Sequence, residues 1–401
     1  MKIAVSWSIN PDSAAAAEEA FRILMEKLAD KPRLLLVHCS CLYDHAALLS
    51  RLTDLAPDVP IQGGTSCLGV MTGEGFHSRD GFGLGLLGIA DSEGDYGAGM
   101  ADIGADPQKA ARNALQEALA RAGHPGEAPA AILVSSAPGK EELLIQAIEE
   151  HVGSGVPIIG GTAADNDMSG QWRQFADGRV SEGAVSIAVL FPSGDIGFSF
   201  HSGYEPTEHK GRATRTSGRI LHEIDGRPAA LVYNDWTGGL LTDILPAGGS
   251  LVPTATFTPL GNPVGHVRGV PYHRLSYPVE ALPDGSLLLF TDVRTGDEIF
   301  LMRGNPGNLV SRTGRAAAAA LDAAPFDAAD ARGALVLFCT GCLLAIKDRI
   351  EEPRASLKAI LQDTPFLCAF TLGEQGCFIG GENRHGNLMV VVLVFGPARR
   401  E

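Results

Sequence analysis

Two stretches of this chain carry the same phrase at a fixed separation. Val59-Pro60-Ile61-Gln62-Gly63-Gly64-Thr65 returns as Val156-Pro157-Ile158-Ile159-Gly160-Gly161-Thr162, and Pro157 minus Pro60, Gly160 minus Gly63 and Val134 minus Val37 all equal 97. A repeat that keeps its register over that length requires one supersecondary unit to be built twice. In each copy a short apolar run (34–39, then 130–136) reads as a buried strand, and a helical segment follows (44–55, then 139–151). A Pro-led strand then ends in a glycine pair, and another apolar strand closes the unit (82–89, then 183–191). A fainter third copy occupies 334–339, 352–362, 364–374 and 387–395, with Thr371-Leu372-Gly373-Glu374 in place of the glycine pair.

This β-α-β-β unit sets the fold class as α/β, with mixed sheets and flanking helices. Further helices are read at 14–29, from the spacing of Ala17, Phe21, Leu24 and Leu28, and at 106–122, from Asp106 as N-cap, Pro107 at the first helical position and Gly123 as stop. A chain of 401 residues exceeds one ordinary core. Two domains are expected, 1–215 and 216–401, divided in the polar segment from His209 to Ser217. The repeats can pack as a four-layer helix–sheet–sheet–helix sandwich or as separate sheets. Residues 196–315, between copies two and three, are richer in strand and turn signals; Ile220 to Ala229 reads as strand, turn and helix start, and Pro283-Asp284-Gly285-Ser286 as a hairpin turn.

Charge narrows the partners. A formal net charge of −15 argues against nucleic acid and anionic membrane surfaces, which need a concentrated basic footprint. Small molecules and other proteins remain. No apolar run reaches the length of a membrane span or a signal sequence, and seven cysteines, an odd number, sit in apolar strand contexts such as Val37-His38-Cys39. Reduced thiols in a cytoplasm are therefore expected.

The glycine-ended strands are where chemistry is expected. Glycine lets backbone approach a ligand closely, and strand mouths in α/β folds are common binding places. Gly63, Gly64, Gly160 and Gly161 could offer N–H groups to a carboxylate, with Thr65, Thr162, Asp165, Asn166, Thr371 and Glu374 as polar partners and Cys67 and Cys339 as lining. An amino acid suits such a mixture. Gly83-Leu84-Gly85-Leu86-Leu87-Gly88 fits the dinucleotide pattern but leads into no helix, so alternating glycines on one strand face, bared for packing, is the better reading. Cys339-Thr340-Gly341-Cys342 has dithiol spacing but lacks two further ligands for zinc, and reads first as buried thiols at a strand end. Gly64 to Gly69 misses the nucleophile-elbow spacing, Gly139-Lys140 is followed by Glu141 rather than a hydroxyl, and no zinc-protease motif occurs, so no enzyme is expected.

With these residues in view the chain resembles the FIST-domain proteins, sensory modules with N-terminal and C-terminal halves. The likeness rests on the two Gly-Gly-Thr turns, on Phe175 to Val180 leading into Gly183-Ala184-Val185, on Leu221 to Ala229, on Leu335 to Cys339 and on Thr371 to Glu374. It implies a bacterial signal-transduction sensor that binds a small polar ligand such as an amino acid and passes the signal to a separate protein such as a histidine kinase. Some members of the family resemble haem-binding nitric-oxide sensors. Haem here would need a non-covalent axial ligand, for which His201, His209, His266 and His273 are the candidates. A third reading is an adaptor whose pockets are filled by its own side chains.

Overall fold

The computed structural model describes residues 1–245, 247–252, 254–267, 270–378 and 381–399; the side chains of residues 266, 267, 270 and 271 lie outside that description. Three units of one design follow each other along the chain. The first holds β1 (Lys2–Ser8), α1 (Ser13–Leu28), β2 (Leu34–Cys39), α2 (His45–Leu55) and β3 (Ile61–Thr65), then a hairpin of β4 (Val70–Thr72) and β5 (Gly75–His77), then β6 (Leu84–Ala90). The second repeats this order with β7 (Asp95–Asp102), α3 (Pro107–Ala122), β8 (Ala131–Ser136), α4 (Glu141–Val152) and β9 (Ile158–Thr162). Its hairpin is β10 (Gln174–Ala176) and β11 (Arg179–Ser181), and β12 (Ala184–Phe191) completes it. The third opens with β13 (Gly194–His201) and is interrupted by a β-rich insert containing α5 (Ala229–Trp236). It resumes with α6 (Pro306–Asp322), β14 (Gly333–Cys339), α7 (Thr340–Ala345), α8 (Glu351–Leu361) and β15 (Phe366–Thr371). A hairpin of β16 (Glu374–Phe378) and β17 (Glu382–Gly386), and then β18 (Val390–Ala398), end it.

Local chemistry sets several of these boundaries. Asp12, Asp44 and Asp106 each accept a backbone N–H from three residues on, at Ala15, Ala47 and Lys109, which satisfies one of the orphan donors at a helix start. Gly123 ends α3 in the left-handed region at φ 83°. The expected helices 14–29, 44–55, 106–122, 139–151 and 352–362 are all present to within two residues. In the insert the strand, turn and helix start expected at 220–229 is Ile220–Ile224, a turn at Asp225 and Gly226, and α5 from Ala229. The turn expected at Pro283 to Ser286 joins strands Pro278–Ala281 and Leu287–Leu289.

In every unit the second and third strands pair in parallel across a helical crossover, and the last strand inserts antiparallel between the first and second. Each unit's hairpin leaves home. β10 pairs with β3 of the first unit, through Phe175 opposite Gly63. β16 pairs with β9 of the second, through Glu374 opposite Gly161. β4 pairs with β15 of the third, through Val70 opposite Ala369. The result is three six-stranded mixed sheets closed into a ring by mutual strand donation. Separate sheets, each with its own helices on one face, is thus the packing adopted.

The core follows this plan. Leu35, Val37, Leu84 and Leu86 pack under α1 and α2, while their neighbours Leu34, Leu36, Leu87 and Ile89 face the opposite way into the common interior. The second sheet divides in the same manner, with Ile132, Val134 and Ile187 under α3 and α4, and Ala131, Leu133 and Ala188 inward. The glycine-rich strand expected near residues 81–87 runs from Leu84, and its bare face is used for close packing: a Cβ on Gly85 would lie 2.5 Å from Leu367 Cδ1. The insert forms a nine-stranded sheet that packs beside α4.

Candidate functional site

The three strand-end turns meet. Cys67 N–H donates to Phe370 O at 3.1 Å, Leu372 N–H to Thr162 O at 3.0 Å, and Ala164 N–H to Thr65 O at 3.0 Å, so hydrogen bonds run from unit one to three, three to two, and two to one. This closed ring answers where the backbone groups of the turns go. They are spent on one another. The rest of the expected site is similarly engaged. Gly63 and Gly64 lie between β2 and β10, and a Cβ on Gly64 would fall 2.3 Å from Ser135 Oγ. Gly160 and Gly161 lie between β8 and β16, and a Cβ on Gly161 would fall 2.3 Å from Thr371 Cγ2. Close backbone approach is real here, but what approaches is the next unit.

The polar members stabilise the same joint. Thr65 Oγ1 accepts Arg173 N–H at 3.0 Å, and Asn166 Oδ1 accepts Leu68 N–H at 2.7 Å. Asp165 is buried and takes three backbone N–H groups, from Met168 at 2.6 Å, Gly170 at 2.7 Å and Gln171 at 2.9 Å, which folds the loop after β9 around its carboxylate. Thr371 Oγ1 donates to Glu374 Oε1 at 2.8 Å, and Glu374 Oε2 accepts Met389 N–H at 2.9 Å. Burial raises the Glu374 carboxyl well above the carboxylate range. Cys67 and Cys339 are buried.

Thr162 alone leads outward. Its hydroxyl donates to Glu141 Oε1 at 2.9 Å and accepts from Gln375 Nε2 at 3.1 Å. Glu141 and Glu142 open α4, where the helix dipole favours negative charge, and both reach Arg219 Nη2 of the insert at 2.6 Å. Glu142 Oε1 also accepts Asp292 N–H at 2.8 Å. His385 of β17 places Nε2 4.0 Å from Glu141 Oε1 and Nδ1 3.4 Å from Gln375 Nε2. Burial alone would push both carboxyls up, but the His385 imidazole and the Arg219 guanidinium outweigh it. Glu141 is held below its ordinary range, and Glu142 at about 2.

This network forms one wall of a cleft of about 540 Å³ between α4, β17 and the insert. That volume is in the range of small-molecule sites. Arg274 lines it, donating from Nε to Asn262 Oδ1 at 3.1 Å and from Nη2 to Asp292 O at 2.8 Å. No carboxylate lies within ion-pair distance of its guanidinium among the described residues, and burial pulls its pKa down. Glu142, Glu149 and Asp292 line the same cleft, the last pushed up by burial and by Glu142. An unpaired guanidinium in one cleft with carboxylates can hold one molecule bearing both signs of charge.

Of the histidines proposed for haem, His201, His209 and His273 lie outside this cleft. His201 is edge-on to Tyr272 at 5.8 Å, His273 to Phe300 at 5.1 Å, and His209 stacks on Trp236 at 6.3 Å; the side chain of His266 lies outside the described residues. Among the described residues no group of three or more His, Cys, Asp or Glu could hold a metal ion.

Sequence reasoning passed over the residues of the cleft and of the charged network behind it. Glu141 served there only to dismiss a phosphate loop, and Glu142, Arg219, Arg274, Asp292 and His385 stood in no motif. The one usable signal was a pair of glutamates opening a helix beside a turn already singled out.

The comparisons place the chain. The FIST N domain matches residues 33–227 and the FIST C domain residues 229–377, so the protein belongs to the FIST family. FIST domains are associated with signal-transduction sensors that bind small ligands. Among curated proteins, an uncharacterised protein of Methanocaldococcus jannaschii is 35% identical over 78 residues, 20% of this chain and 15% of that protein's length. Among solved structures, cyanuric acid hydrolase from A. caulinodans superposes over 100% of this chain and 99% of its own, with a TM-score of 0.33 and 12% identity. A second cyanuric acid hydrolase structure gives 0.34 and 8%, over 98% and 99%. Among the described residues no helix is long and apolar enough to cross a membrane.

Proposed function

We propose that the ligand of this sensor is a small zwitterion such as an amino acid, and that it binds in the cleft beside the ring of turns rather than on the turns themselves. The observation that carries this reading is Arg274, a cleft-lining guanidinium without a carboxylate partner among the described residues, in a cleft that Glu142, Glu149 and Asp292 also line. The ligand carboxylate pairs with Arg274 and its ammonium with the acidic wall. Gln375 bonds Thr162 at the joint of the units and lies beside His385 in the cleft wall, so occupancy is felt where the units meet. From there the signal passes to a separate protein, such as a histidine kinase.

Thermal shift against amino acids and organic acids tests the reading. A ligand at one hundred times its Kd should stabilise the wild type by about 2.7 kcal/mol, and Arg274→Gln should abolish the shift. No shift with any compound, or a shift that survives Arg274→Gln, refutes it.

A further inference from the structure

A second cluster of reactive groups lies apart from the cleft, at the junction of β14 and α7. Cys339 ends the strand and is the N-cap of α7, and Cys342 lies three residues on. Residues at this spacing on a first helical turn bring their Cβ atoms near one another, within reach of the Cα separations that a disulfide spans. Both thiols are free and buried.

What makes the pair unusual is Arg312, which projects from α6. It is fully buried, with 0% exposure, and its Nη1 donates to Ser202 O at 2.6 Å and to Leu388 O at 2.5 Å, while Nε and Nη2 have no hydrogen-bond partner. Its guanidinium carbon stands 4.9 Å from the centre of the Phe338 ring and 6.0 Å from that of Tyr204. No carboxylate pairs with it among the described residues. A buried cation without a paired counter-charge is costly, and the groups that can answer it here are the Cys342 sulfur and the Glu374 carboxyl, which burial holds toward its neutral form. The Tyr204 hydroxyl lies 3.8 Å from Cys342 Sγ and is itself fixed on Thr256 O at 2.8 Å.

The electrostatics choose between the two sulfurs. Burial raises Cys342, but the Cys339 thiol, the Arg312 charge and the Tyr204 hydroxyl outweigh it and bring it down to about 6. Cys339 goes well above its ordinary value, first through its interaction with Cys342 and then through burial. One sulfur is therefore the nucleophile and the other keeps its proton.

We infer that Cys339 and Cys342 form a redox-active dithiol that a small hydroperoxide converts to an intramolecular disulfide, with Arg312 stabilising the attacking Cys342 sulfur. In the first step Cys342 thiolate attacks the terminal peroxide oxygen: the S–O bond forms, the O–O bond breaks, and alkoxide or hydroxide leaves. In the second, Cys339 sulfur attacks the sulfenic sulfur: the S–S bond forms, the S–O bond breaks, and the leaving hydroxide takes the Cys339 proton and departs as water, while the alkoxide or hydroxide of the first step takes back from solvent the proton that Cys342 gave up on ionising. Two thiols and one hydroperoxide thus become one disulfide, one alcohol or water, and one further water. Burial limits the reaction to oxidants about as small as hydrogen peroxide. It also separates this pair from Cys368, an equally buried thiol whose pKa is raised by desolvation alone.

The chain offers a clean readout, because the tryptic peptide 333–347, bounded by Arg332 and Lys347, contains Cys339 and Cys342 and no other cysteine. The full-length protein is treated with hydrogen peroxide, quenched with N-ethylmaleimide, digested and weighed. The expected result is a peptide two hydrogens lighter that takes no maleimide, formed about tenfold or more faster than any modification of Cys368. With dimedone present, Cys339→Ser should trap the reagent on Cys342, and Cys342→Ser should leave Cys339 unlabelled. A wild-type peptide that stays dithiol, or oxidises only when the protein is unfolded, or no faster than Cys368, overturns the proposal whatever the variants do.

Discussion

Replacing Arg219 by methionine isolates the electrostatics of the α4 terminus. In the wild type one guanidinium, 16% exposed, serves Glu141 at 3% and Glu142 at 20% side-chain exposure. Removing it leaves two carboxylates facing each other with one partner fewer, and breaking a buried ion pair costs about 3–5 kcal/mol. The pH dependence discriminates further. A carboxyl held at about 2 against an ordinary 4.5 contributes about 3 kcal/mol, fully present above pH 4.5 and lost as the pH falls toward 2. Without Arg219 the His385 imidazole is left to offset burial and the like charge of the neighbouring glutamate, so both pKa values rise from where the pair of groups holds them. Arg219→Met should therefore lose about 3–5 kcal/mol at pH 7 and recover part of it at pH 5, where the wild type gains nothing. Urea denaturation at both pH values is the assay, with Glu142→Gln added to the variant as a partial rescue. An equal loss at pH 7 and pH 5, or no rescue, would refute the argument that this terminus is held by charge.

Gly161→Val puts a branched side chain where even a Cβ sits 2.3 Å from Thr371 Cγ2 and 2.7 Å from Thr371 Cβ, and should cost about 1–3 kcal/mol, read as a lowered denaturation midpoint. Asp165→Ala removes the acceptor of three backbone N–H groups, so limited proteolysis should cut within 165–171 while the rest of the chain stays resistant, at a cost of about 1–3 kcal/mol.

The repeats were legible because their signals are local: apolar runs, Pro-led strands and glycine pairs recurring at 97 residues. The donated hairpins were not. β4, β5, β10 and β11 have three residues each, too few to show a period of two, and what they pair with is set by a unit elsewhere in the chain. The glycine turns were found but their use was not, since whether a turn's N–H meets a ligand or a neighbouring turn is decided by tertiary packing. The cleft was hidden for the same reason. Glu142, Arg274 and His385 are separated by more than a hundred residues at each step, and in sequence each resembles an ordinary surface charge.

Strand donation around a ring also sets a schedule for synthesis. When residue 90 leaves the ribosome the first sheet still lacks β10, which arrives only with residues 174–176; β9 waits for residues 374–378; and β4, made early, waits for β15 near residue 371. β13 finds its neighbour last of all, in Val390–Ala398. A nascent chain therefore carries unpaired strand edges for most of its length, the very surfaces through which chains aggregate. Closing the ring waits for strands far along the chain, and a chain interrupted before residue 390 leaves β13 and β14 without the strand that lies between them.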